Sequence, residues 1–153
     1  MRLCLLFRGE GLRGSQETLV AEANETFMKQ TANSYELQLE ISSNCQGSVH
    51  LFSDSTNEKS LVLSYDTKQG KVRLDRSRTD YPLNPEFGET RETIVEQEKS
   101  LTIAIFVDKS TCEIFINAGE QTLTANYYPT EEQTYLLLEN CQKCSASYYT
   151  LNK

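Results

Sequence analysis

From Tyr35 onward the chain alternates apolar and polar residues with a period of two: Tyr35, Leu37, Leu39 and Ile41 are separated by Glu36, Gln38 and Glu40. Successive side chains of an extended strand point to opposite faces, so this pattern puts one face in a core and the other toward water. Val49 and Leu51 continue it after a turn expected at Gln46-Gly47. Leu61, Leu63 and Tyr65 open a further strand, and Val72 and Leu74 resume beyond the polar stretch 66–70, which is the pattern of a hairpin with a short loop.

Two stronger strands follow. Leu101, Ile103, Ile105 and Val107 share one face while Ala104 and Phe106 lie on the other. A strand apolar on both faces belongs between covered layers, so this one is expected to be central. The chain then turns at Asp108-Lys109-Ser110, and Cys112, Ile114 and Ile116 form the next core face. Asn117-Ala118-Gly119 turns again, with Gly119 free to take φ > 0. Leu123, Tyr135, Leu137 and the segment 145–151 supply the last strands, while Pro82, Pro85 and Gly88 mark 79–88 as a long surface loop. About nine to eleven short strands and no helix are expected. The economical solution is an all-β, two-sheet antiparallel β-sandwich of the jelly-roll or concanavalin-like kind.

A chain of 153 residues fits one domain, and at that size roughly 70% of the unfolded surface is buried without a disulfide or metal staple. Residues 1–20 read differently from the rest. Gly9, Gly11 and Gly14 break any helix there, so this stretch is expected to be a linker or lead-in that is poorly ordered or borrows contacts from a neighbour. The sandwich is assigned to 21–153.

The formal net charge of −7 repels phosphate backbones and anionic lipid, which argues against nucleic-acid and membrane partners. No apolar run approaches the roughly 20 residues of a membrane span. The opening residues 1–7 hold too short an apolar stretch for a secretory signal. Cys4, Cys45, Cys112, Cys141 and Cys144 are odd in number, which suits reduced thiols and a cytoplasmic location.

Each candidate for chemistry has an ordinary reading beside it. His50 is the only histidine; it alternates with Val49 and Leu51 and reads as a solvent-facing or hydrogen-bonded strand residue. Cys141 and Cys144 have the spacing of half a zinc site, with no second pair to complete it, so no metal or cofactor is expected. Asp108 and Glu113 bracket a turn and are the pair most suggestive of two-carboxylate glycoside chemistry, but no sugar pocket is marked around them and a solvated turn accounts for both. Gly9, Gly11 and Gly14 match G-x-G-x-x-G without the strand–helix context that motif needs. Asn24-Glu25-Thr26 is a glycosylation sequon that matters only on a secretory route. In each of Tyr127-Tyr128 and Tyr148-Tyr149 one ring should point inward, so packing explains them better than a sugar platform does.

Residues 70–78 (Gly-Lys-Val-Arg-Leu-Asp-Arg-Ser-Arg), and more specifically 105–120 (Ile-Phe-Val-Asp-Lys-Ser-Thr-Cys-Glu-Ile-Phe-Ile-Asn-Ala-Gly-Glu), followed by Leu123-Thr124 and Tyr128-Pro129, resemble the C-terminal β-sandwich of the invertase-like β-fructosidases of glycoside hydrolase family 32, whose intracellular branch includes the bacterial sucrose-6-phosphate hydrolases. The resemblance runs from about Ser34 to Leu151. Cys112 and Ala118 stand where the family often has valine and aspartate, changes that suit a strand and a turn. The resemblance implies an N-terminal five-bladed propeller partner that carries the nucleophile, the transition-state stabiliser and the acid/base in Asn-Asp-Pro-Asn-like, Arg-Asp-Pro and Glu-Cys motifs. In this chain no aspartate precedes a proline and no glutamate precedes a cysteine, so no catalytic residue is carried over. It further implies a supporting role in stability, domain packing and homo-oligomer contacts, with Asp75, Arg76, Arg78 and Arg91 as candidate contacts to the propeller. A free-standing carbohydrate-binding module is the alternative.

Overall fold

The computed structural model describes residues 13–19, 26–79, 90–139 and 144–151. These form twelve strands: β1 (Arg13–Leu19), β2 (Thr26–Gln30), β3 (Ser34–Ile41), β4 (Gln46–Ser53), β5 (Ser60–Asp66), β6 (Lys71–Arg78), β7 (Thr90–Ile94), β8 (Leu101–Asp108), β9 (Thr111–Ile116), β10 (Gln121–Asn126), β11 (Tyr135–Glu139) and β12 (Cys144–Leu151). No helix occurs among the described residues. Two six-stranded sheets run β1-β12-β3-β8-β9-β10 and β2-β11-β4-β5-β6-β7, and among the described residues every strand pair is antiparallel. The expected β-sandwich is the fold observed.

The core lies between the sheets and is built from the alternating residues. Tyr35, Leu37, Leu39 and Ile41 meet Val49, Leu51, Leu61, Leu63, Val72 and Leu74 from the opposite layer in one buried cluster. Strand β8 sits between β3 and β9. Its inner residues are fully buried, and its outer Ala104 and Phe106 are buried too, in a second cluster with Phe115. Phe106 and Phe115 meet edge to face at 5.7 Å, the geometry their ring quadrupoles prefer.

Differences from the sequence reading fall at edges and turns. Where a linker is expected, Arg13–Leu19 forms an edge strand on β12; residues 1–12 lie outside the described residues. The turn expected at Gln46-Gly47 occurs earlier, with Asn44 at φ 60, and Gln46 and Gly47 are already in β4. Strand β7 carries only one large apolar residue, Ile94, and β2 lies in a segment without alternation, so neither announces itself in sequence. The turn at 117–119 matches expectation, with all three residues at positive φ. The proline-bearing stretch expected to be a loop falls mostly at 80–89, outside the described residues.

Side chains close both open sides of the sandwich. On one side Lys29 of β2 places its ammonium 4.8 Å from the Tyr148 ring centroid on β12. On the other, Gln121 of β10 donates from Nε2 to the carbonyl of Ile94 in β7 at 2.6 Å and accepts from the Thr93 hydroxyl. Exposed strand edges invite pairing with other chains, and these bridges occupy part of that edge.

Candidate functional site

Polar side chains gather on the outer face of the second sheet, around a bulge in β6. Val62 pairs with Asp75 and Ser60 with Arg78, so β6 carries one residue more than β5 over that span. The extra residue bends the strand and re-aims its end. Asp75 turns back on its own backbone, accepting from the Ser77 amide at 2.9 Å. The Arg78 guanidinium reaches over the 54–59 loop and donates to the carbonyls of Asn57 and Glu58, the latter at 3.2 Å.

His50 lies beneath this arrangement, paired between Leu137 and Val62 and only 4% exposed. It is a hydrogen-bonded strand residue, not a solvent-facing one. Its Nε2 is 3.0 Å from the Ser48 hydroxyl and its Nδ1 is 3.5 Å from that of Ser60. Glu139 Oε2 stands 4.0 Å from Nε2. Burial, the largest cause, lowers the His50 pKa from its usual value; Glu139 opposes this and Arg78 adds to it. A serine–histidine–acid relay needs the nucleophile on one ring nitrogen and the acid on the other. Here Ser48 and Glu139 both approach Nε2, and Ser60, the hydroxyl on Nδ1, is fully buried where no substrate can reach it, so the set does not form one.

The four candidate interface residues are not brought to one place. Asp75 and Arg78 lie at the bulge, Arg76 beside them is half-buried, and Arg91 is elsewhere. Arg91 pairs with Leu74, a core residue, and its Nη1 donates across to the carbonyl of Thr124 in the other sheet at 2.9 Å. Sequence proximity of charged residues could not separate these roles, because the separation comes from strand parity and the bulge.

The carboxylates Asp108 and Glu113 are diagonal neighbours on β8 and β9, since Asp108 pairs with Thr111 and Phe106 with Glu113. Asp108 accepts from the Ser34 hydroxyl at 2.9 Å. Glu113 is buried rather than solvated, as is Glu36, which accepts from the Gln38 amide. Cys112 is buried in the core and burial pushes its thiol up to about 12, leaving it an inert small hydrophobe. Cys144 begins β12 at the edge of the core, and Cys4 and Cys141 lie outside the described residues. Among the described residues no group of three or more His, Cys, Asp or Glu is arranged to hold a metal ion, and no helix is long and apolar enough to cross a membrane. Tyr127 and Tyr148 are buried, whereas Tyr128 is exposed and Tyr149 half-buried, as their pairing in sequence predicts.

Sequence reasoning passed over Gln133. It is buried, and its Nε2 donates to the Phe52 carbonyl at 2.8 Å and to the Tyr127 hydroxyl at 2.7 Å, while its Oε1 accepts from the Thr130 amide. The Tyr127 hydroxyl in turn donates to the Arg78 carbonyl at 2.6 Å. One glutamine thus ties the 127–134 loop to β4 and, through Tyr127, to the end of β6. A lone glutamine in a polar loop carries no sequence signal for such a role.

The architecture defines a two-sheet sandwich whose interior is filled by packed side chains. The family model described as glycosyl hydrolases family 32 C terminal matches residues 7–151, and the chain belongs to that family. The chain is 37% identical over 126 residues to sucrose-6-phosphate hydrolase of Streptococcus mutans, covering 82% of this chain and 26% of the relative. It is 32% identical over 129 residues to the Staphylococcus xylosus sucrose-6-phosphate hydrolase, again covering 82% and 26%. Among solved structures, sucrose-6-phosphate hydrolase from Lactobacillus gasseri superposes with a TM-score of 0.85 at 28% identity, covering 95% of this chain and 30% of that one. Exo-inulinase from Aspergillus awamori shares the fold with a TM-score of 0.81 at 19% identity, covering 95% and 31%. The chain therefore spans about a quarter of the length of the curated relatives it matches.

Proposed function

We propose that this chain is the non-catalytic C-terminal module of a β-fructosidase, and that it supports a catalytic five-bladed propeller by packing against it. The observation that carries this reading is the match to a C-terminal family over nearly the whole chain, together with relatives of which it covers only a quarter. The parent enzyme hydrolyses sucrose 6-phosphate, or the related sucrose or a fructan, by a retaining two-carboxylate mechanism whose residues lie in the propeller. The module itself needs no cofactor, acts in the cytoplasm, and contributes to homo-oligomer contacts.

The bulged end of β6 is the proposed docking patch. Asp75, Arg76 and Arg78 give it mixed charge on a strand end held in place by the Asn57, Glu58 and Tyr127 contacts. Arg91, which faces the other sheet from the exposed edge strand and holds Thr124, is a candidate contact separate from this patch.

A chimera tests the reading: the matched C-terminal quarter of the Streptococcus mutans enzyme is replaced by this chain. The chimera is expected to hydrolyse sucrose 6-phosphate and to melt as one unit, and Asp75→Lys with Arg76→Glu should lower its melting temperature by more than that of the isolated module, which loses only the Asp75–Ser77 contact and local interactions. A chimera whose activity and melting are unchanged after this chain is clipped away would refute the supporting role.

A further inference from the structure

Two strands of the second sheet each carry one residue more than a neighbour, at the same end of the sheet. In β4 the extra residue falls between His50 and Ser53, which pair with Leu137 and Tyr135 of β11. In β6 it falls between Asp75 and Arg78, which pair with Val62 and Ser60 of β5. Strand β5 lies between β4 and β6, so the two bulges stand two strand spacings, or ~10 Å, apart. A bulge bends its strand and leaves backbone groups outside the ladder, and such groups need other partners where they are buried.

One side-chain relay serves both bulges. Gln133 Nε2 donates one hydrogen to the Phe52 carbonyl at 2.8 Å and the other to the Tyr127 hydroxyl at 2.7 Å. That hydroxyl donates to the Arg78 carbonyl at 2.6 Å. The polarity is fixed, because an amide nitrogen only donates and the single hydroxyl hydrogen goes to Arg78. Gln133 is itself locked, 3% exposed and accepting from the Thr130 amide at 2.9 Å. At the β4 end of the relay Phe52 holds a φ of 52°, an outlier for a bulky residue, and its ring stacks on Tyr127 at 5.2 Å and 9°. Strain of this kind persists only where surrounding contacts over-determine it, so the β4 bulge is a firm anchor.

We infer that Gln133 and Tyr127 are positioning residues for the docking of this module on its partner domain: through their relay, the β4 bulge sets where the β6 end that carries Asp75, Arg76 and Arg78 points. Both residues are buried, so they act on the patch without touching a partner. The Arg78 side chain holds the same strand end through the carbonyls of Asn57 and Glu58, and the relay holds its backbone from the core side, where Tyr127 is packed. The inference rests on the docking proposed for this strand end and adds the device that aims it.

The test compares Tyr127→Phe, which removes only the hydroxyl, with Gln133→Glu, which keeps the shape but has no hydrogen for the Phe52 carbonyl. Gln121→Ala is the control: it breaks the bridge to Ile94, which pairs with Lys71 at the far end of β6. In the isolated chain, amide hydrogen exchange at 75–78 is expected to quicken roughly five-fold in Tyr127→Phe, the loss of one hydrogen bond, while β3 and β8 hold their rates. Gln133→Glu should quicken the same amides, because its carboxylate draws the Tyr127 hydrogen away from Arg78. Gln121→Ala should leave them unchanged. In the chimera, the ratio of melting-temperature loss to that of the isolated module is expected to be larger for Tyr127→Phe than for Gln121→Ala. The inference fails if 75–78 keep their rates in both variants, if exchange quickens equally in every strand, or if the two ratios match. Asp75→Lys with Arg76→Glu separates it from the docking reading. If that pair lowers the chimera beyond the module while Tyr127→Phe does not, the relay alone is refuted. If that pair fails as well, docking at this end is refuted and the inference falls with it.

Discussion

Arg91 on the last strand of one sheet donates to the carbonyl of Thr124 on the last strand of the other, at 2.9 Å. This contact joins two edges that backbone hydrogen bonding leaves open. The arginine is exposed, so its loss leaves a carbonyl that water can reach, and the cost is modest. Arg91→Ala is expected to destabilise by about 0.5–1.5 kcal/mol and to speed amide hydrogen exchange in β7 and β10 more than in β3 and β8. Uniform exchange across all four strands would argue against a clamp at this edge.

Ile105 lies on the central strand and is fully buried, whereas Ile94 is 61% exposed. Chemical denaturation should separate them sharply. Ile105→Ala is expected to cost about 2–5 kcal/mol, from lost burial plus the cavity left behind, and Ile94→Ala to stay within about 0.5 kcal/mol. Equal losses at the two sites would contradict the assignment of layers.

His50 makes stability depend on pH. Its folded pKa lies below the ordinary value of about 6.5, so between the two values the unfolded chain binds the proton more readily. The resulting stability is fully present above the unfolded pKa and is lost as pH falls through it toward the folded one. Carboxylates contribute in the same direction at lower pH, so the comparison must be made with a variant. The parent should lose more melting temperature than His50→Gln when pH is lowered from about 7.5 to about 5.5, the span around the ordinary histidine value. Parallel losses would show that the imidazole is not the group responsible.

Much of the fold was legible because burial on one face writes itself into sequence as alternation. Leu37, Leu39, Val49, Leu63 and Ile105 were readable as core for that reason, and all are buried. The edge strands β1, β2 and β7 were not, since an edge strand has less core to face and its residues follow no strict period. The polar groups divided similarly. The Asn117-Ala118-Gly119 turn was visible through its residue types, whereas Gln133, Gln121 and Arg91 act through partners tens of residues distant in the chain. His50 was half-readable: its place in the strand followed from Val49 and Leu51, but its burial on the outer face depends on the loop that Arg78 holds down.

Gly70 ends the β5–β6 turn at φ 74, and an added Cβ would stand 2.4 Å from the Val95 carbonyl oxygen. The backbone oxygen cannot move away cheaply, because Val95 also donates its amide to the Gly70 carbonyl at 2.8 Å. Gly70→Ala therefore combines a left-handed conformation with a steric clash and should cost about 1–3 kcal/mol or more. A neutral outcome in thermal melting would mean that the turn reorganises.

The module is proposed to support a catalytic partner and to perform no hydrolysis itself. The most direct measurement is a hydrolysis assay of the purified chain with sucrose 6-phosphate and sucrose, run beside the chimera that restores the propeller. The chimera is expected to release fructose, and the chain alone to give only the uncatalysed background. Turnover above background by the isolated chain would contradict it.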